Sequence, residues 1–211
     1  MFMAIRLTPA NSPSRLFCAS KFWGDPDLPA EMEYPMIEVE DGGEKFSLPL
    51  PFICQIDCSD LEPYDRDGLF PHEGMFYIFG AIDYFLGYDS PVKTQIGEWP
   101  KEQIIVKYAK SINYETFQSQ IMVDYDDEPI AELPMAIEFS ECADDAEGIR
   151  FGGRPVAQAA QDNPDFISFL QLTGCKELGL TFPEGAVLNI LLRDSDLRFG
   201  NWKRGKGYLS L

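Results

Sequence analysis

Histidine is nearly missing from this chain: His72 stands alone among 211 residues. Zinc centres built from Cys and His therefore have little to draw on, because they need several ligands at short, regular spacings. Long apolar runs are missing as well. Gly, Pro or charge breaks every one well short of the ~20 residues a membrane-crossing helix requires. The opening Met1–Thr8 contains Arg6 and is followed by Pro9, so no apolar leader segment is expected. Basic residues are scarce, 17 Lys and Arg against 35 Asp and Glu, for a net charge of −18. That balance disfavours direct contact with nucleic acid, whose phosphates reward clustered cations, and contact with anionic membrane surfaces. Cysteines are few, odd in number and scattered (Cys18, Cys54, Cys58, Cys142, Cys175). They outline no disulfide framework, and a reduced, cytoplasmic protein is expected.

What the chain has is apolar mass and turn chemistry. Hydrophobic residues make up 45% of it and 16 are Phe, enough for a well-filled core. Short segments rich in β-branched and aromatic residues, bounded by Gly, Pro or Asp, predict strands at 15–19, 51–57, 75–81, 103–109, 120–124, 135–139, 166–172, 186–192 and 208–211. Alternation in the second of these puts Phe52, Cys54, Ile56 and Cys58 on one face, with Ile53, Gln55 and Asp57 on the other. No segment keeps helical periodicity over three turns, and short helices are expected only near 114–120, at 157–161 and after Cys175. The fold class that follows is α+β and β-rich, with mostly antiparallel sheets and short helices.

Three marks occur twice in the same order. The first set is Phe22-Trp23-Gly24-Asp25-Pro26, Phe52-Ile53-Cys54-Gln55-Ile56 and Phe70-Pro71-His72-Glu73-Gly74, the last leading into an apolar strand. The second is Phe151-Gly152-Gly153-Arg154-Pro155, Ser168-Phe169-Leu170-Gln171-Leu172 and Phe182-Pro183-Glu184-Gly185, again leading into an apolar strand. The echo predicts one domain over 1–211, made of two related halves (about 1–145 and 146–211) from an internal duplication. Gln55 and Gln171 should then occupy equivalent places. The intervening stretch 83–146 carries the acidic runs 124–128 and 141–147 and a lysine-bearing segment, and is expected to extend the sheet of the first half.

The run Ser20-Lys21-Phe22-Trp23-Gly24-Asp25-Pro26-Asp27-Leu28-Pro29 resembles the opening motif of the YwqG-like proteins, a bacterial domain family of unknown function. Pro51 to Asp57 with Leu61, Phe70 to Phe79, and Gly152 to Gln158 are similar to three further motifs of that family. The family usually has Gly where Trp23 stands, and its late motifs are only echoed in Phe169–Leu172, Asp194-Ser195-Asp196 and Gly200-Asn201. The resemblance implies a strand-rich architecture with internal duplication. It implies no established activity and no catalytic residue.

Several residues invite a chemical reading. His72 in a turn could serve as a base only with a cleft and an orienting carboxylate, and the surface-turn reading is preferred. Cys54 and Cys58 at a CxxxC spacing read as core thiols. Asp194-Ser195-Asp196 offers two carboxylates to a hard cation but has the composition of an ordinary turn. Lys203, Arg204 and Lys206 beside Trp202 and Tyr208 form a small basic patch. No catalytic residue, metal ligand or cofactor is assigned. The binding candidates are Trp23, Gln55, Asp57, His72, Gln171 and Asp194. The expected function is a non-enzymatic protein-binding or regulatory module, immunity- or antitoxin-like, with an acidic face for a basic protein partner. The alternative is an enzyme or small-ligand binder with a cleft between the halves, where His72, Asp57 and Asp194 converge.

Overall fold

The structure, a computed structural model, describes residues 4–12, 14–124 and 126–211. Residues 1–3, part of the segment read for a leader, and Tyr125, inside the acidic run 124–128, lie outside the described residues. The first ten strands are β1 (Ala4–Ala10), β2 (Lys21–Phe22), β3 (Asp27–Pro29), β4 (Met36–Asp41), β5 (Glu44–Pro49), β6 (Phe52–Asp57), β7 (Met75–Gly80), β8 (Gly97–Glu98), β9 (Ile104–Ala109) and β10 (Phe117–Ser119). There follow β11 (Met135–Cys142), β12 (Arg150–Phe151), β13 (Phe166–Thr173), β14 (Val187–Arg193) and β15 (Lys206–Ser210). Two short helices, α1 (Ala157–Asp162) and α2 (Asp194–Arg198), complete the described α-helical content. No helix among the described residues is long and apolar enough to cross a membrane.

Eleven strands form one antiparallel sheet in the order β8-β15-β14-β13-β12-β1-β11-β2-β6-β7-β9. Laid flat at the usual strand spacing it would be about 48 Å wide. Its outermost strands, β8 and β9, are nonetheless joined by residues 99–103 alone, which reach about 22 Å at full extension. The sheet therefore rolls up. Gly205 and Gly207 complete the seam: a Cβ on Gly207 would meet Ile104 Cγ1 at 2.8 Å, and one on Gly205 would meet Val106 at 3.2 Å. Inside the roll lies an aromatic core. Phe151 packs on Phe169 at 4.5 Å and on Phe70 at 4.6 Å, and Phe76 packs on Trp202 at 4.8 Å.

Two further layers cover the outside. The β4–β5 hairpin and the β3–β10 pair lie over β6, β7 and β9, enclosing Leu28, Leu50, Phe52, Tyr77, Phe79 and Phe117. Helix α1 covers the outer face of β14 and β15 through Ala159, Leu191 and Tyr208.

Several expectations need correction. Segment 15–19 is turn rather than strand, because Cys18 adopts a left-handed φ of 50° and its N–H donates to Asp27 Oδ2 (2.9 Å). Segment 120–124 makes one isolated bridge, Val123 to Pro129, and the strand lies earlier, at β10. The helix expected near 114–120 is an Asn113-centred turn, with Glu115 N–H on Asn113 Oδ1 (3.0 Å), leading into that strand. After Cys175 there is a turn closed by a Cys175–Leu180 bridge instead of a helix. The alternation in β6 fails at a bulge between Phe52 and Cys54, which turns Ile53 into the roll and leaves Phe52 on the outer layer. Segment 83–146 extends both sides of the sheet, since β9 pairs with β7 while β8 pairs with β15.

The pairing around the two recurring glutamines is the same. Lys21 and Phe22 sit opposite Gln55 and Cys54, and Arg150 and Phe151 sit opposite Gln171 and Leu170. Each Gln strand bulges two residues earlier, at Ile53 and at Phe169. Each Gln amide donates at 2.9 Å to the second carbonyl before its opposing cation, Ala19 O and Gly148 O.

In the first of these places the centre is Asp27, fully buried. Its Oδ2 accepts from Lys21 Nζ (2.7 Å), Gln55 Nε2 (2.8 Å) and Cys18 N (2.9 Å), and its Oδ1 from Ser119 Oγ (2.6 Å). Its own N–H donates to Gln55 Oε1 (2.9 Å), and its carbonyl accepts from Tyr77 OH (2.7 Å). Removing the carboxylate strands a buried ammonium. Asp27→Ala should lose about 3–5 kcal/mol in urea denaturation, and Lys21→Met in the same background should recover part of it. An Asp27→Ala chain as stable as the parent would contradict this reading.

Candidate binding cleft

Residues 23–26 turn the chain out of β2 and into β3. Trp23 takes a left-handed φ of 56° and Gly24 one of 73°. Trp23 N–H donates to Ile53 O (3.1 Å) and Gly24 N–H to Glu132 O (2.9 Å), pinning the turn between β6 and the segment before β11. Gly24 is required twice over, by its φ and because a Cβ there would meet Pro134 Cβ at 2.8 Å. Trp23 bears its strain because its ring is buried and Nε1 donates to Leu178 O (3.1 Å).

This turn forms one wall of a cleft of about 460 Å³. The other walls come from Tyr34, from Pro49–Phe52, from Asp83–Tyr88, from Gln120 and Met122, and from 129–132. Asp25, Asp83 and Glu132 bring three carboxylates from three separate segments, and among the described residues the lining holds no Lys, Arg, His, Cys, Ser or Thr. Tyr34 OH is committed to Leu50 O (3.1 Å), and Tyr88 OH to the Glu132 carboxylate.

Burial pushes the Asp25 carboxyl above its ordinary value; Lys21 lowers it, Asp27 raises it, and a backbone hydrogen bond from Met122 lowers it. Burial likewise raises Asp83, against a hydrogen bond from its own backbone. The Tyr34 phenol is raised by burial first and then by both carboxylates, so Asp25 and Asp83 both act across the cleft.

Of the binding candidates, Trp23 alone lines this cleft. Gln55 is fully buried behind it, in the Asp27 network. Asp57 caps the 3-10 turn Cys58–Asp60, accepting from Ser59 N (3.0 Å). His72 Nε2 is 3.2 Å from Asp65 Oδ2, so its carboxylate neighbour is Asp65 rather than the adjacent Glu73. Asp65 also accepts from Leu69 N and Phe70 N, which ties His72 into a loop-shaping set.

Gln171 Oε1 accepts from the buried Arg150 (2.8 Å). Asp194 pairs with Arg198 (2.8 Å). His72, Asp57 and Asp194 thus have three different partners, and none borders the cleft. Asp196 is buried and accepts from Arg204 (3.0 Å) and Asn201 (3.2 Å), so Asp194 and Asp196 face different cations. Lys206 pairs with Glu98 (2.6 Å) and Trp202 lies in the aromatic core, which disperses the C-terminal basic patch. No three His, Cys, Asp or Glu among the described residues are grouped to hold a metal ion.

The sequence reading missed Asp25, Asp83 and Glu132 as a group. Asp25 stood inside a recurring mark; for the other two no local signal exists.

A rolled antiparallel sheet with an acidic, proline-edged cleft beside the Trp23–Pro26 turn is the class that fold and site define. The chain belongs to the family described as a domain of unknown function, DUF1963, whose model matches residues 20–150. Every residue lining the cleft falls inside that span. No curated protein matches the chain.

Two predictions follow from the burial of these groups. A carboxyl raised in the fold favours folding below its unfolded value and loses that contribution as pH rises through the raised one. Asp25→Asn and Asp83→Asn should therefore match or exceed parental stability at pH 7, with the difference shrinking below the ordinary 3.8. Urea titrations across pH measure it, and a loss at pH 7 in both variants would refute it. Burial pushes the Cys18 thiol up to about 11 and raises Cys54 and Cys58 further. Iodoacetamide on the native chain should label the half-buried Cys142 and Cys175 before these three, as read by peptide mass spectrometry.

Proposed function

We propose that this chain is a non-enzymatic binding module of the cytoplasm, acting as a regulatory, immunity- or antitoxin-like protein that engages a basic protein partner through the cleft. One observation carries the reading: three carboxylates line the cleft, with no cationic side chain among its described lining residues. A net charge of −18 adds long-range steering of a basic partner. Among the described residues the lining holds no Ser, Thr, Cys or Lys nucleophile and no His base. Five free thiols suit a reducing compartment.

Within the family, residues 20–79 support placing the chain with the YwqG-like proteins. The matched register around Gln55 and Gln171 supports one domain of two halves that descend from a duplicated unit. A second reading, a small-ligand site, is favoured by the cleft's volume, which falls in the range of small-molecule pockets.

Tagged protein, used to capture partners from its host's lysate at low and high salt, tests the first reading. A variant carrying Asp25→Asn, Asp83→Asn and Glu132→Gln serves as the control. A basic protein held at low salt, released at high salt, lost with the variant and rebound when purified is the expected result. Equal capture by parent and variant would overturn the role of the cleft, and no specific capture would overturn the binding-module reading.

A further inference from the structure

We infer that the cleft is an arginine receptor: it takes the guanidinium of an extended segment of the partner, while an apolar lip seats that segment's neighbouring side chains. This inference rests on the binding-module reading and adds the chemistry of the contact.

The first argument is the balance of donors and acceptors. Asp25, Asp83 and Glu132 supply carboxylate oxygens. Each already takes one donor from the protein, Met122 N–H at Asp25, its own backbone at Asp83 and Tyr88 OH at Glu132, and each carboxylate keeps further acceptor capacity. Tyr34 OH donates to Leu50 O and Tyr88 OH is used on Glu132. Pro26, Pro49, Pro51 and Pro129 in the walls have no N–H to offer. The nearby Lys21 is buried behind the turn and held by Asp27 at 2.7 Å. Gln120 adds a side-chain amide to the lining, and the three carboxylates still leave the cleft with more acceptors than free donors. An arginine side chain has five N–H donors and no acceptor, the complementary inventory.

The second argument separates guanidinium from ammonium. Tyr34 and the exposed Tyr88 give the walls aromatic surface. A planar, weakly hydrated guanidinium stacks on such surface and can meet carboxylates two bonds at a time, whereas an ammonium keeps its water more tightly.

The third argument concerns the lip. Tyr88 (52% exposed) and Ile130 (49%) line the cleft and still face solvent. Ile121 (61%) and Leu133 (84%) are exposed next in sequence to lining residues. Exposed apolar residues gathered beside an acidic recess suit a protein segment better than a free amine, which has nothing to place on them.

The probe is an acetylated, amidated pentapeptide with central arginine flanked by leucines, titrated into the full chain and followed by amide NMR. Its counterparts carry citrulline or lysine at the centre, and free arginine amide serves as the small-cation control. Saturable shifts centred on Gly24, Asp25, Leu86 and Ala131 are expected. Affinity should fall about tenfold or more with citrulline, and by a similar factor in Asp25→Asn/Asp83→Asn, the scale of a lost charge-assisted contact.

Equal binding of the citrulline or lysine peptide would overturn the guanidinium assignment. Arginine amide binding as tightly as the peptide would overturn the docking role in favour of a small-cation site. Shifts confined to the acidic runs 124–128 and 141–147, or no binding, would overturn the site itself. Thermal melts check that the double variant folds; if it does not, the citrulline comparison on the parent chain still decides. Lysate capture of a basic protein without peptide binding would remove this inference and leave the binding-module reading standing at another acidic face.

Discussion

A buried carboxylate, Asp27, holds the first half of the molecule together. Its four incoming hydrogen bonds arrive from β2, β6, β10 and the turn at Cys18, and its own carbonyl takes a fifth from β7. An ion pair removed from water tolerates no loose geometry, because every missing contact leaves a desolvated charge. The chain on either side inherits that rigidity. Asp27 follows directly on the Trp23–Pro26 turn, so fixing one fixes the wall of the cleft and, through Gly24 and Glu132, the segment opposite.

The other recurring site meets the same constraint differently. Arg150, also buried, has no carboxylate within its hydrogen-bonded set. It donates to Ala146 O (2.9 Å), Gly152 O (2.5 Å), Arg154 O and Gln171 Oε1. Counting on from the two Gly–Pro turns, Asp27 corresponds to Val156, which cannot accept a side-chain hydrogen bond and instead precedes α1. A compact ammonium needs a counterion brought to it, whereas a forked guanidinium can collect backbone carbonyls. Around Lys21 the counterion and its Ser119 partner come from β3 and β10, whereas beyond Arg150 the chain runs on into α1.

The charge of the molecule is also divided by burial. Much of it lies at the surface, where Arg154 meets Asp145 and Arg66 meets Glu141 in exposed pairs of small energetic weight, while Asp144, the other partner of Arg154, is buried. Asp25 and Asp83 differ because the walls withdraw water from them and strengthen any electrostatic contact they make. Recognition chemistry belongs where charge is both accessible and partly desolvated, and the cleft combines the two.

Much of the strand content was legible because a pleated chain writes alternating burial into its residues. β6, β7, β9, β13 and β14 appear in the sequence nearly where they lie in the structure. The strong acidity and the β-rich class were likewise legible in composition and local pattern. What the pattern could not carry was anything set by closure. The bulge at Ile53 exchanges the faces of Phe52 and Ile53, and the pairing of β8 with β15 joins residues far apart in the chain. The apolar look of 15–19 yields to a left-handed Cys18 whose N–H is held by Asp27. Asp25, Asp83 and Glu132 border one cleft only because the rolled sheet and its covering layer bring three distant segments to one edge. Local sequence determines which residues can be strands and which must be turns; only tertiary packing decides which turns face one another, since that depends on the curvature of the whole sheet.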